Sequence, residues 1–151
     1  PAHAGDPRVW NDLGNAAREA GELTEARAAF EHAVALDPDY SRPRTNLGTL
    51  ALAAGDLIEA ELQLRAAVAA GPDNPVARAN LGNVLLRAKA YDEAVAEYER
   101  AVALAPGRGA YHRGLGRALR GAGDREGARA ARAALAELRH ARQKHWSSCP
   151  Q

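Results

Sequence analysis

Apolar residues return at steps of three and four along most of the chain, the spacing that places them on one face of an α-helix. Leu47, Leu50, Ala51 and Ala54 form one such face. A second apolar face follows, formed by Ile58, Ala60, Leu64, Ala67 and Val68. Polar residues fill the positions between them, so residues 46–73 are predicted to form two amphipathic helices.

Residues that end and start helices separate these apolar faces. Gly55 can take the positive φ that ends an α-helix, and Asp56 with Glu59 three residues later is typical of a capping box. Asp6-Pro7 and Asn74-Pro75 each combine a capping side chain with a proline suited to the first turn. The predicted helices therefore have defined starts and ends.

The same pattern returns every 34 residues. One column holds Leu13, Leu47, Leu81 and Leu115, the next Gly14, Gly48, Gly82 and Gly116, and a third Ala26, Ala60, Ala94 and Ala128. A small residue such as Gly48 or Ala60 would let the two helices of a unit approach closely. Because one unit is too small to bury its own apolar face, the units are expected to stack and share one elongated core.

This pattern resembles the tetratricopeptide repeat family. In the first unit Trp10, Leu13 and Gly14 are followed in register by Ala26, Phe30, Ala33 and Pro38. The resemblance covers residues 6–140 and implies an all-α, right-handed solenoid of four helix pairs. The units are expected at about 7–40, 41–74, 75–108 and 109–140, after a leader or linker at 1–5. Arg44, Arg78 and His112 replace the family's Trp in later units, and Lys89 replaces a turn glycine.

The fourth unit departs most from the pattern. Arg132 stands in the column that holds Phe30, Leu64 and Tyr98 in the other units, and no proline ends the second helix. We expect one long helix from about 125 to 145 whose polar outer side caps the array, as terminal repeats must for solubility. Residues 141–151 would then be the end of this helix and a flexible tail.

The composition favours helices and bears on the compartment in which the chain could act. The 151-residue chain is 46% hydrophobic but only 5% aromatic, which favours helices built from Ala and Leu. No apolar stretch reaches the roughly 18 residues of a membrane-spanning helix. The sequence fits a soluble protein of the bacterial cytoplasm, or of the periplasm or exterior if a signal peptide has been removed.

Charge is distributed unevenly along the chain. Residues 1–107 carry 10 basic and 16 acidic side chains, whereas residues 108–151 carry 10 basic and 3 acidic ones. The two ends are therefore expected to meet different partners, or each other.

In the family the first helix of each unit lines a concave groove, so the resemblance implies a peptide site there. Two groove columns are Asp12, Asn46, Asn80, Gly114 and Asn15, Thr49, Asn83, Arg117. Asn is a poor helix former, and its amide can pair with a peptide backbone. One interpretation is an Asn ladder similar to that of O-linked N-acetylglucosamine transferase repeats. The other is that these Asn residues bond between helices or face water.

Arg113, Arg117 and Arg120 are spaced to lie on one helix face. With Arg87 and Arg108 they would form a basic pocket that favours an acidic peptide or a terminal carboxylate. The alternative is a solvated arginine-rich face.

The carboxylate clamp of chaperone-binding family members is not expected. Asn15 and Asn46 match two clamp positions, but Asn11, Val76 and Asn80 replace the basic ones. A clamp without its cations binds a dianion poorly.

The remaining chemistry is sparse. His140, His145 and Cys149 match no closed zinc site, and neither a paired nucleophile and base nor a phosphate loop is found, so we expect no metal, no cofactor and no catalysis. Nucleic acid is not expected either, because the basic part lacks interleaved aromatic residues.

Three functions stay open. The chain could be a non-enzymatic scaffold that binds an extended peptide or partner segment. It could instead self-assemble head to tail, with acidic first units on the basic last helix. Because it begins at Pro1 without Met, it could also be the scaffolding segment of a larger enzyme or cofactor-bearing protein.

Overall fold

The computed structural model describes residues 5–147, apart from the side chains at 142 and 144–147. Within this range the chain forms eight α-helices and no strand, which confirms the predicted all-α class. The helices are α1 Pro7–Ala20, α2 Leu23–Leu36, α3 Ser41–Ala54, α4 Leu57–Ala70, α5 Pro75–Arg87, α6 Tyr91–Leu104, α7 Gly109–Gly121 and α8 Arg125–Ser147. None of these helices combines the length and apolarity that crossing a membrane requires.

The helices pack in consecutive pairs, α1 with α2, α3 with α4, α5 with α6 and α7 with α8. The second helix of each pair also packs against the first helix of the next, and α3, α5 and α7 lie side by side. This stacking confirms the predicted solenoid. The core follows the stack, with a cluster around Phe30 and Leu47 and a longer one that contains Leu64, Leu81 and Tyr98.

The helix ends lie where the capping residues predict. Gly55 ends α3 at φ 84°, and Asp56 Oδ1 accepts a hydrogen bond of 3.0 Å from the Glu59 backbone N–H. Asn74 Oδ1 accepts in the same way from the first turn of α5. Lys89 occupies the turn-glycine column and takes the left-handed conformation, with φ 61°.

The repeated spacing of the glycines is explained by a bulky side chain within the same helix pair. A Cβ atom on Gly48 would lie 2.5 Å from Leu64 Cγ, and one on Gly82 would lie 2.8 Å from the Tyr98 ring. Gly14 faces Phe30 in the same way. A side chain at these glycine positions would therefore collide with the bulky residue on the second helix of the same pair.

The predicted inward position of Ile58 is wrong. Its side chain is 85% exposed, whereas Ala60, Leu64 and Ala67 are fully buried. Ile58 lies two positions before Ala60, which is about 200° around the helix, so it points away from the core. Leu57, one residue earlier, packs against the core instead.

The residues that replace the family's Trp bond to the turn before their own helix. Arg44 Nε donates to the Pro38 carbonyl oxygen at 3.1 Å, and Arg78 Nε donates to that of Pro72 at 2.7 Å. His112 Nε2 lies 2.9 Å from the Pro106 carbonyl oxygen. Three different helices are thus tied to the preceding turn at the same register.

Helix α8 is the predicted long capping helix. Ala128 and Ala131 are buried against α7, and Leu135 and Leu138 are half-buried. Its exposed arginines are Arg125, Arg129, Arg132 and Arg139. The apolar side of α8 closes the core, and the charged side faces solvent.

Candidate functional site

A ladder of hydrogen bonds crosses the first helices of successive pairs. Asn46 Nδ2 donates to Asn11 Oδ1 at 3.0 Å and to Asn15 Oδ1 at 3.4 Å. Asn80 Nδ2 donates to Thr49 Oγ1 at 3.0 Å, which joins α3 to α5. The Asn side chains therefore bond between helices, as the second interpretation of the sequence had it.

The next step of the ladder uses a different side chain. Gly114 holds the position that Asn46 and Asn80 hold in the earlier pairs, and a Cβ atom on Gly114 would overlap the Tyr98 ring. Tyr98 reaches across this gap from α6, and its hydroxyl donates to Asn83 Oδ1 at 2.6 Å. Asn15, Thr49 and Asn83 are thus the acceptors of three equivalent steps.

Each ladder amide keeps one polar end without a partner among the described residues. The unused groups are Nδ2 of Asn15 and Asn83 and Oδ1 of Asn46 and Asn80. None of these atoms is among the enclosed side-chain atoms that lack a hydrogen bond. They are therefore not fully enclosed, and the ladder fixes the orientation of these unused donors and acceptors.

The first part of the groove is a cavity of about 740 Å³ between α1, α3 and the turn at residues 71–75. Asn15 and Asn46, two of the predicted groove residues, line this cavity. The sequence reasoning missed its other polar lining residues, which include Tyr40, Ser41, Arg42, Asp73 and Asn74. These residues lie in or next to the turns between units, a few positions after Pro38 or Pro72. That fixed distance from the turn proline is the sequence signal by which they could have been found.

The second part of the groove is basic. Arg113 and Arg117 line a cavity of about 320 Å³ together with Asn80, Asn83 and Tyr98. A neighbouring cavity of about 210 Å³ between α7 and α8 is lined by Arg113, Arg117, Arg120 and Arg132. The structure thus brings Arg113 and Arg117 together with the last two Asn residues of the ladder, whereas Arg120 lines only the neighbouring cavity.

No hydrogen bond or ion pair holds Arg113, Arg117 or Arg120 within the described part of the chain. Burial raises the pKa of Tyr98 to about 12, and the nearby Arg117 cation lowers it by a smaller amount. The Tyr98 hydroxyl is therefore protonated at neutral pH and acts as a hydrogen-bond donor beside a free cation.

Other predicted site residues lie elsewhere. Arg87 Nη1 donates to the Leu52 carbonyl oxygen at 3.0 Å, and neither Arg87 nor Arg108 lines the two basic cavities. The Thr49 hydroxyl donates to the Thr45 carbonyl oxygen and accepts from Asn80 in the ladder. His140 is exposed on α8, whereas Cys149 and the His145 side chain lie outside the described residues.

Two of the three positions at which a carboxylate clamp would carry cations hold amides bonded in the ladder, and the third is Val76. Asn11 is 3% exposed and accepts from Asn46, and Asn80 is bonded to Thr49. These amides organise the groove rather than supply charge to it.

The fold and the groove define an α-solenoid of helix pairs with a polar concave face. Two protein-family models, both described as tetratricopeptide repeat, match the sequence, one at residues 7–40 and one at residues 45–109. Together they span about two thirds of the sequence, and the chain belongs to the tetratricopeptide repeat family.

Solved structures share this fold. The crystal structure of MamA protein aligns with a TM-score of 0.81 at 21% identity over 99% of this chain and 81% of that one. MamA from Desulfovibrio magneticus RS-1 aligns at 0.77 and 24% identity over 91% and 77% of the two chains. The first tetratricopeptide domain of Spaghetti (RPAP3), bound to the HSP90 peptide SRMEEVD, aligns at 0.73 and 21% over 78% and 94%. No curated protein matches the chain.

Proposed function

We propose that this chain is a non-enzymatic protein-interaction scaffold that binds an extended peptide or partner segment in its concave groove. The observation that carries the proposal is the ladder of Asn15, Asn46, Asn80 and Asn83, in which each amide is held through one end, Oδ1 or Nδ2, and keeps its other end without a partner among the described residues. Groups held in this way lose little freedom on binding, so their hydrogen bonds add to affinity. They also recognise backbone, which every peptide carries.

The charge of the groove favours a ligand with an acidic part near α7. Arg113, Arg117 and Arg120 have no carboxylate partner among the described residues, and guanidinium groups bind carboxylates with paired hydrogen bonds. At the other end, Asp12 and Asp73 line the first cavity with Arg42. The related fold of RPAP3 binds a peptide that contains two glutamates and an aspartate, which supports an acidic ligand.

Titration with two synthetic peptides tests both parts of the proposal. One alternates Ser and Glu, and the other has Gln in place of each Glu. Replacing Arg113, Arg117 and Arg120 with Ala should weaken binding of the Glu peptide by about tenfold or more and flatten its salt dependence, with little effect on the Gln peptide. Asn46→Ala with Asn80→Ala should weaken both peptides, because backbone contacts are lost.

The matched control replaces Arg100, Arg129 and Arg139 with Ala, three exposed arginines that line none of the three groove cavities. Equal losses in the control and the α7 variant would remove the basic pocket from the site. Unchanged binding of both peptides in the Asn variant would refute the ladder. Circular dichroism of each variant verifies that the fold is retained.

A second candidate function is self-assembly through the ends of the solenoid. The observation that favours it is Leu13, which is 51% exposed although Leu47 and Leu81 in the same column are 3% and 2% exposed. In the interior, the preceding helix pair covers this position. Covering it in the first pair requires another molecule or segment that supplies an equivalent surface.

A further inference from the structure

The first helix presents an uncovered surface, here called the head face, which consists of Val9, Asp12, Leu13, Ala16 and Glu19 of α1. Val9 is 43% exposed, whereas Ala77 and Tyr111 in its column are 0% and 9% exposed. Ala16 is exposed, while its counterparts in α5 and α7 are fully buried. Val9, Leu13 and Ala16 therefore hold the positions that become buried when a later first helix docks on the pair before it, and Asp12 and Glu19 lie beside them.

The opposite end of the solenoid carries the surface that would receive such a helix. This tail face consists of the exposed residues Arg125, Arg129, Arg132, Ala136 and Arg139 of α8. Shifting the register by 34 residues places them at Tyr91, Val95, Tyr98 and Val102 of α6 and at Ala105, which caps it. Val95, Val102 and Ala105 pack partly buried against the core cluster.

Two close contacts fix the register between α6 and α7. A Cβ atom on Gly114 would overlap the Tyr98 ring, and one on Gly121 would overlap the Tyr91 ring. Both pairs run in the antiparallel sense, from the middle and the start of α6 to the middle and the end of α7. They define which residues meet when a second helix of one pair receives the first helix of the next.

Applying the same register to two copies of the chain brings opposite charges together. On α8, Tyr98 becomes Arg132 and Tyr91 becomes Arg125. On α1 of the next copy, three units earlier in register than α7, Gly114 becomes Asp12 and Gly121 becomes Glu19. Both aromatic-on-glycine contacts are thus replaced by a guanidinium and a carboxylate.

We propose that the tail face of one copy binds the head face of another in the inter-pair register, with Arg132 opposite Asp12 and Arg125 opposite Glu19. This inference rests on the second candidate function and assigns its residues. All four side chains are exposed, and no ion pair within the described residues engages them. Leu13 would take the place of Leu115 and Val9 that of Tyr111, so the contact also covers the apolar part of the head face.

The physical character of this contact differs from that of the interior contacts. Within the chain, the Tyr98 ring packs on α7 and Val95 packs against the core cluster, whereas the tail face has Arg132 and Arg129 at these positions. Exposed ion pairs contribute less than apolar burial and are screened by salt. The association is therefore reversible, salt-sensitive and heterologous, so it adds copies in a row unless the superhelix closes into a ring.

Sedimentation velocity of charge-reversal variants tests the proposal. The head variant carries Asp12→Arg and Glu19→Arg, and the tail variant carries Arg125→Glu and Arg132→Glu. Each alone sets like charges against each other, and we expect the dissociation constant of self-association to rise at least about tenfold. An equimolar mixture of the two variants restores both opposite-charge contacts, and so does a chain with all four changes.

The matched control carries Arg100→Glu and Arg108→Glu, which change the net charge as much as the tail variant does at exposed positions outside both faces. We expect this control to associate like the unchanged chain, and thermal unfolding verifies that every variant is folded. The assigned pairs are wrong if the charge reversals leave self-association unchanged, or if mixing the two variants does not restore it. Either outcome would still be compatible with self-assembly through other contacts. An unchanged chain that sediments as a monomer at all concentrations and at low salt overturns both.

Discussion

Glu97→Ala is expected to destabilise the fold far more than an ordinary salt-bridge deletion. Arg78 and Glu97 form an ion pair of 2.8 Å with side chains only 7% and 17% exposed. Removing Glu97 leaves the buried Arg78 guanidinium with the Pro72 carbonyl oxygen as its described partner. Breaking a buried pair on one side costs about 3–5 kcal/mol, and the partial exposure of Glu97 places the expected loss at ~3 kcal/mol.

The chain supplies a matched comparison for this change. Arg65 and Glu93 form a pair of 2.7 Å with side chains 49% and 58% exposed, so Glu93→Ala removes the same chemistry at the surface. An exposed pair contributes about 0–1 kcal/mol. For cooperative unfolding of a chain of this size, ~3 kcal/mol lowers the melting temperature by about 6–12 °C, and the surface deletion lowers it by less than about 4 °C.

Urea unfolding followed by circular dichroism measures both losses, with Arg78→Leu combined with Glu97→Leu as a third variant. Replacing both charges removes the uncompensated cation, so this double variant should regain most of the stability that Glu97→Ala loses. The reasoning is refuted if Glu97→Ala and Glu93→Ala cost the same. It is also refuted if the double variant is no more stable than Glu97→Ala.

Three further predictions follow from single positions. Gly114→Ala should lower the free energy of unfolding by about 1–3 kcal/mol because the new Cβ atom overlaps the Tyr98 ring. Gly116→Ala in the same helix, where the nearest atom to the new Cβ is 3.7 Å away, should raise it by up to ~1 kcal/mol. Equal effects in urea unfolding would contradict the packing argument. Lys89→Gly should stabilise by about 1 kcal/mol because φ at this position is 61°, and a loss in the same assay would refute that reason. The fold raises the pKa of Tyr98 from 10.0 to about 12. The stability that this shift contributes is complete below pH 10 and is lost as pH rises from 10 through about 12. Tyr98→Phe should flatten this alkaline loss in melting experiments, and an unchanged pH profile would disprove the assignment.

Much of this architecture could be predicted because its determinants are local and repeated. The caps at Asp56 and Asn74 and the turn at Gly55 each depend on a few neighbouring residues, and the 34-residue period tests every assignment several times. Ile58 shows where the period alone misleads. It is apolar and close to the stripe, yet its angle around α4 points it to solvent.

The bonds that shape the groove were harder to predict, because they join residues far apart in sequence. Spacing identified the Asn columns, but the direction of the bonds from Asn46 to Asn11 and from Asn80 to Thr49 depends on how α1, α3 and α5 sit together. The passage of Tyr98 through the gap at Gly114 likewise follows from the packing of three helices. The ion pair of Arg78 and Glu97 links positions 19 residues apart in sequence, a separation that no local pattern favours.

The fit of Tyr98 into the gap at Gly114 gives the modules of this chain a fixed order. Leu64, the counterpart of Tyr98 in the second module, is followed in register by Asn80, so that junction accepts a residue with a side chain. Grafting the second module after the third would put Asn46 where Tyr98 requires a bare backbone. Of the four modules, only the fourth has a glycine in this column and can follow the third. Internal duplication can therefore add modules before the third, but it cannot place a copy of any of the first three directly after Tyr98.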